Sequence, residues 1–524
     1  MGNDNGLSAP LALLSRQLVS FRPCFSRRAA FSWFVVVVVG FIVRFDCLGV
    51  TSFIRAWNFP PLAYHQILHF FHSLAWSLPA LLTHWQRLCF KDSCNVIVNN
   101  RFILLGDHCY GPKDATKMPG VVTLHQNSET ASKPSFFRGH NWAFLAIVRS
   151  LKHTFWAVPL GGTIDQGLTF SDDPETTASL TTRMVQRAIS LAQLLNQPCY
   201  LVLDAFFACG PVFTLARSII DTASRQPFIH IITRAKKSIV AYEPLAHTGT
   251  KKRGRPRKTG VPVKLFQRYH QDHRDFRTAS CRVYDTVETI TYLARVLYWK
   301  PLKANVLFVM AQTSRGFIIV MSSDLTLAPL TLIELYCRRA TIEHFFSLLK
   351  NCFGAFCYHF WLKGLPRQQR RPSKNSNNVI PTHLRPAVAL KKEAMERFVN
   401  LAAIAIGICH TIAAQFHEHI WQTQNLWLRT YTKTIPSVYI TKVLLTTLIK
   451  GNIPQINNQA ILRLLEQTAA DDSVRQIHHD TGGLSTMSKT SDTTTSEGSK
   501  RTSADLWGTL LSVILWPLSK YAKL

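Results

Sequence analysis

Cys199-Tyr200-Leu201-Val202-Leu203-Asp204 sets five apolar and aromatic residues directly before a carboxylate, and its surroundings decide the fold. Upstream, Thr176 to Gln197 carries apolar residues at helical intervals, and a second helical segment follows near Val212 to Ile220. Helix, strand and helix in succession predict an α/β layer architecture. A second run of the same kind, Leu104-Leu105-Gly106-Asp107-His108, also ends on an aspartate. In an open α/β sheet, sites gather at the carboxyl edges of strands, so Asp107 and Asp204 can converge although far apart in the chain. Taken singly, each also reads as a turn or cap residue that closes a strand.

Further short strands are expected at Asn95–Val98, Arg101–Leu105, Ala143–Val148 and Phe155–Val158. A second β-rich stretch between Ile229 and Asp324 contains Ile229–Ile232, Cys281–Tyr284, Val306–Val309 and Phe317–Val320. It reads as an insertion, about residues 229–328, within a catalytic domain spanning 96–365. Residues 1–95 read as an all-helical domain that binds DNA, an assignment resting on position and charge. Residues 366–466 read as a basic loop and a helical region, 467–505 as a disordered Ser/Thr-rich segment, and 506–524 as a terminal amphipathic helix.

The charge narrows the partner. Sixty Lys and Arg against 30 Asp and Glu give a formal charge of +30, which repels itself unless a polyanion neutralises it. Nucleic acid is the leading partner, and no small-molecule substrate is expected. The valine run Val35–Val39, bounded by Arg28 and Arg44, is shorter than a membrane span and reads as buried core. No stable membrane association follows from it, the competing reading being a basic membrane-surface protein. Twelve scattered cysteines fit reduced, mostly buried thiols.

The segment Tyr336-Cys337-Arg338-Arg339-Ala340-Thr341-Ile342-Glu343, continuing to Lys350, carries the chemistry. Tyr336, Arg339, Glu343 and Lys350 are spaced by three, four and seven residues, which on one helix makes a single stripe. A solvated face with ordinary ion pairs would show the same spacing. With Asp107 and Asp204 added, three carboxylates supply hard oxygen ligands for Mg²⁺. Two ions about 4 Å apart activate an attacking hydroxyl and stabilise the leaving 3′ oxygen of a phosphodiester.

At these residues the chain resembles the DDE transposases of bacterial insertion sequences, in the branch marked by Tyr-x2-Arg-x3-Glu-x6-Lys, which Tyr336, Arg339, Glu343 and Lys350 match at every interval. The resemblance extends through Gly106-Asp107-His108, Lys117-Met118-Pro119-Gly120, Leu203-Asp204-Ala205-Phe206-Phe207 and Tyr358-His359-Phe360-Trp361, over residues 10–420. It implies an RNase H-like core with a β-rich insertion, preceded by an all-helical N-terminal domain. Asp107, Asp204 and Glu343 would be catalytic and would hold two Mg²⁺ ions, with Mn²⁺ as a substitute. Tyr336, Arg339 and Lys350 would hold phosphates near a transposon end. The implied activity is binding of terminal inverted repeats, cleavage and strand transfer by a homodimer on double-stranded DNA in the bacterial cytoplasm at the nucleoid. The alternative is a catalytically decayed or regulatory DNA-binding protein derived from a transposase. It is favoured by Ala340, where the family often carries an aromatic residue.

Lys251, Lys252, Arg253, Arg255, Arg257 and Lys258 form a further DNA-contact candidate. Their Arg253-Gly254-Arg255-Pro256 centre looks like an AT-hook for narrow minor grooves, and contact with backbone phosphates is the simpler use of such a loop.

Overall fold

The computed structural model describes residues 4–125, 135–168, 170, 178–222, 224–244, 259–271, 274–367, 380–423 and 435–452. The basic run Lys251–Lys258, the Ser/Thr-rich segment and the terminal helix expected at 506–524 lie outside the described residues. Helices α1 (Asp4–Ser20), α2 (Arg28–Val43), α3 (Thr51–Trp57), α4 (Leu62–His72) and α5 (Leu78–Phe90) come first. Strands β1 (Ile97–Val98), β2 (Arg101–Pro112), β3 (Val122–His125), β4 (Phe136–Leu151) and β5 (Thr154–Ile164) follow. Helix α6 (Leu180–Leu195), strand β6 (Cys199–Leu203), helix α7 (Gly210–Ser218) and strand β7 (Ile229–Arg234) come next. Then come β8 (Val240–Tyr242), β9 (Pro262–Lys264), α8 (Leu265–Gln271), β10 (Arg277–Val283), β11 (Thr286–Trp299), β12 (Ala304–Thr313) and β13 (Gly316–Ser322). The chain closes through α9 (Pro329–Cys337), α10 (Ala340–Ser347), α11 (Arg385–Gln415), α12 (His417–Thr423) and α13 (Val438–Asn452).

Two compact units divide the chain, one of residues 1–84 with 404–524 and one of residues 85–403. The first is helical. All residues of α2 from Ala30 to Val43 are buried, so the valine run is the centre of this unit. Trp57 Nε1 donates to the Val36 carbonyl at 3.1 Å, and Thr446 Oγ1 on α13 donates to the Ile42 carbonyl at 3.2 Å. Among the described residues, one helical stretch, Thr382–Gln415, is long and apolar enough to cross a membrane, and 94% of its most apolar window is buried inside the protein.

The second unit is a mixed α/β structure. Among the described residues its strands join in one 13-stranded sheet with the path β3-β4-β2-β6-β7-β13-β12-β11-β8-β9. Strands β2, β6 and β7 run parallel, and β7 pairs antiparallel with β13. The β-rich stretch after Asp204 therefore continues the same sheet through β7. Parallel neighbours demand crossovers, and α6 and α7 supply them. The interior strand β6 is buried at every residue, as its unbroken apolar run requires.

One segment of β5 is fixed by helix α11. Asn400 Nδ2 donates to the Gly162 carbonyl at 2.8 Å and its Oδ1 accepts from the Gly162 amide at 2.8 Å. Glu396 accepts from Ile164 N at 2.9 Å and from the Thr163 hydroxyl. Gly162 is required because a Cβ there would sit 2.2 Å from the Phe144 ring.

Candidate functional site

Strand register puts the first two carboxylates together. The parallel pairing of β2 with β6 ends at Leu105↔Val202. Asp107, still within β2, and Asp204, just past the end of β6, each lie two residues beyond that pair, and the Asp204 charge acts on Asp107. Asp204 accepts from Phe206 N at 3.0 Å and so caps the short turn Ala205–Phe207. Asp107 accepts from the amide of His108 at 2.7 Å. Burial, followed by the neighbouring Asp204 charge, pushes the Asp107 carboxyl up to about 6. Burial raises Asp204 as well, against the lowering pull of Arg339.

Arg339 links Asp107 to Glu343. Its guanidinium donates to Asp107 Oδ2 at 2.9 Å and to Glu343 Oε1 at 2.5 Å. The Glu343 side chain is 59% exposed, whereas that of Asp107 is 17% exposed. A carboxylate on the helix is thus bridged to Asp107 on β2 by one cation, whose charge also acts on Asp204. Burial raises the Tyr336 phenol, and the charges of Arg339 and Arg234 lower it while Asp204 raises it, so all three stand close by. Burial pushes the Cys109 thiol, two residues along β2 from Asp107, up to about 12, against the lowering effect of the nearby Lys350.

The expected single stripe from Tyr336 to Lys350 is corrected by the structure. Helix α9 stops at Cys337 and α10 begins at Ala340. Between them the backbone tightens, with Arg338 N to Leu335 O at 3.1 Å, Arg339 N to Tyr336 O at 3.0 Å and Thr341 N to Arg338 O at 3.0 Å. These are three-residue bonds, the wider α ladder resuming farther on. At this point Arg338 is buried, donates to the Tyr284 carbonyl at 2.8 Å and lies over the Phe155 ring at 3.6 Å. Past Ser347 the helix loosens into a π turn over Leu348–Cys352, which carries Lys350.

Other residues at the site were missed by spacing arguments. Arg234 ends β7, and its charge acts on the Tyr336 phenol. Asp165, directly after β5, receives Arg183 Nε at 3.0 Å, Arg187 at 2.5 Å and His108 Nε2 at 3.2 Å. Their sequence signal is weak, since Arg183 and Arg187 sit at an ordinary i, i+4 interval on α6. The segment after α10 is anchored from below. His140 is fully buried, its Nε2–H donating to Pro119 O at 2.8 Å and its Nδ1 accepting from the Tyr358 hydroxyl at 2.6 Å. Lys113 Nζ donates to the carbonyls of Phe356 and Tyr358, the latter at 2.8 Å.

The fold and site together define a mixed α/β protein with a carboxylate-centred, arginine-bridged site where the parallel pairing of β2 with β6 stops. Asp204 follows the end of β6 as expected, but Asp107 lies inside β2, which runs on to Pro112 through its pairing with β4, and does not close a strand as the sequence suggested. Residues 176–361 match the family model for the transposase DDE domain, so this part of the chain is similar to that domain and supports a DDE-type transposase. The match contains Asp204, Tyr336, Arg339, Glu343 and Lys350 and begins after Asp107. A search of curated proteins finds no match to the chain.

DDE transposases generally use divalent metal ions. Asp107 and Asp204 fit one, since two neighbouring, partly buried carboxylates repel until a cation lies near. Among the described residues, no three of His, Cys, Asp and Glu stand close enough to hold a metal together. Glu343 is bound to Arg339 instead.

Proposed function

We propose that this chain is a transposase that binds the terminal inverted repeats of its own element on duplex DNA, cleaves phosphodiester bonds there, and transfers the freed strands to a target. The closeness of Asp107 to Asp204, with Arg339 bridging Asp107 to Glu343, is the observation that carries this reading. In this proposal the sheet from β2 to β7 is an RNase H-like core, and the helical unit of residues 1–84 contributes to DNA binding. Asp107 and Asp204, with Glu343 as third carboxylate, would hold Mg²⁺ or Mn²⁺. When bound, the metal supplies Lewis-acid activation of the attacking hydroxyl and charge stabilisation of the leaving oxygen.

The protein's own groups do the rest. Arg339 offsets the repulsion among the three carboxylates and keeps Glu343 beside Asp107. Tyr336, Arg234 and Lys350 place a phenol and two cations around the carboxylates, where they can position a scissile phosphate. The net charge of +30 favours duplex DNA as the partner.

The test is incubation of the protein with a supercoiled plasmid carrying the coding sequence and its flanking DNA, in Mg²⁺. Cleavage at two positions bracketing the gene, lost in Glu343→Gln, is expected. Equal cleavage by both proteins refutes the assignment of Glu343, and absence of cleavage by the wild type favours the DNA-binding alternative.

A further inference from the structure

Asp165 lies outside every role given so far, yet it is among the best-coordinated side chains near the site. Its carboxylate is 2% exposed. Oδ1 accepts from Arg183 Nε at 3.0 Å and from Arg187 at 2.5 Å, and Oδ2 accepts from Arg187 at 3.2 Å and from His108 Nε2 at 3.2 Å. Its backbone is also held: Arg183 donates to its carbonyl at 2.6 Å, and its amide donates to Asn141 O at 2.8 Å. An ionised carboxylate only accepts, so His108 Nε2 carries the proton and the ring has one fixed orientation. The anchor beneath is rigid, because Glu396 and Asn400 pin Gly162 to Ile164 immediately before it.

What His108 touches gives that orientation a consequence. Its amide N–H donates to Asp107, and its ring stacks on Phe207 at 5.7 Å with an interplanar angle of 1° and meets Phe206 edge-on at 6.4 Å. Phe206 and Phe207 form the turn that Asp204 caps. One imidazole therefore joins the Asp107 strand to the Asp204 turn, and Asp165 holds that imidazole.

We propose that Asp165 is a positioning residue of the cleavage site, acting through His108 to fix the spacing of Asp107 and Asp204. Arg183 and Arg187 serve as the cationic brace that keeps Asp165 ionised and in place. The inference rests on the assignment of Asp107 and Asp204 as the cleavage carboxylates. Misplacement of a reacting group by about 1 Å costs up to about a hundredfold in rate, whereas binding of the duplex elsewhere on a basic surface is untouched.

The experiment measures two quantities on the plasmid with its flanking DNA: single-turnover cleavage at saturating protein in Mg²⁺, and affinity for the flanking fragment in metal-free buffer. Asp165→Asn is expected to slow cleavage by about ten- to a hundredfold while changing affinity less than about threefold. In a His108→Leu background the same substitution should cost less than about twofold further, because the route through the ring is already cut. Full additivity of the two losses, or an equal fall in affinity, overturns the proposal in favour of a purely structural ion pair. Should Asp165→Asn fail to fold, His108→Gln and His108→Leu decide. The glutamine amide can donate where Nε2–H does and should keep a rate at least about fivefold above that of the leucine variant. Equal rates for these two overturn the proposal. Asp204→Asn is the control: if it cleaves normally, the carboxylate assignment itself fails, and if it is inactive while Asp165→Asn is normal, only the positioning role fails.

Discussion

Asp107 carries the electrostatic signature of the site, a carboxyl pushed up to about 6 by burial and by Asp204. A carboxyl raised in the folded state stabilises it fully below the ordinary 3.8, and that contribution is lost as pH rises through about 6. Above that pH the folded protein keeps two neighbouring charges. Asp204→Asn should therefore raise the unfolding midpoint of the metal-free protein by a few degrees at about pH 8 and by much less at about pH 5, measured by thermal melts. An identical shift at both pH values contradicts the repulsion argument. Both aspartates are visible in the sequence because each follows an apolar run, a pattern that a capping residue produces as well, so it is their pairing with Glu343 that singles them out. Asp165 and His108 are not, since their pairing depends on where β5 ends relative to β2, and nothing in the local composition of either segment records it.

At the scale of elements, the cores of β2, β4, β5, β6 and β7 follow from apolar runs and turn residues and α6 from its periodicity, whereas β3 and the long extensions of β2, β4 and β5 do not, because they are set by pairing with neighbouring strands. The helix through Glu343 does not either: it is interrupted at Arg338, which meets the Tyr284 carbonyl and the Phe155 ring, contacts that spacing along one helix cannot reveal. Two elements offer direct tests. Gly162→Ala would press a methyl into the Phe144 ring and disturb the α11 anchor, with an expected loss of about 1–3 kcal/mol in denaturant unfolding. His140 ties β4 to the segment after α10, and burial lowers its imidazole to about 3. A base lowered on folding stabilises fully above the ordinary 6.5, and that stability is lost as pH falls toward the folded value. Wild type should lose more stability than His140→Gln between about pH 6.5 and 4.5, by roughly 1.4 kcal/mol per pH unit at most. Parallel curves for the two proteins would contradict a neutral, buried His140.

Across the whole molecule, a charge of +30 and a carboxylate site in one chain ask for a polyanion that is also the reactant. Affinity for duplex DNA should fall by about a thousandfold between roughly 50 and 200 mM salt if six or more phosphates are contacted, as read by fluorescence anisotropy. A salt-independent affinity would point to a different partner. The most direct test of the central claim is the rate at which the metal-supplied protein cuts the DNA flanking its own coding sequence, compared between wild type and Asp204→Asn. A site built on neighbouring aspartates predicts that the isosteric change lowers that rate by at least about a thousandfold with DNA binding retained, and cutting at the wild-type rate would contradict it.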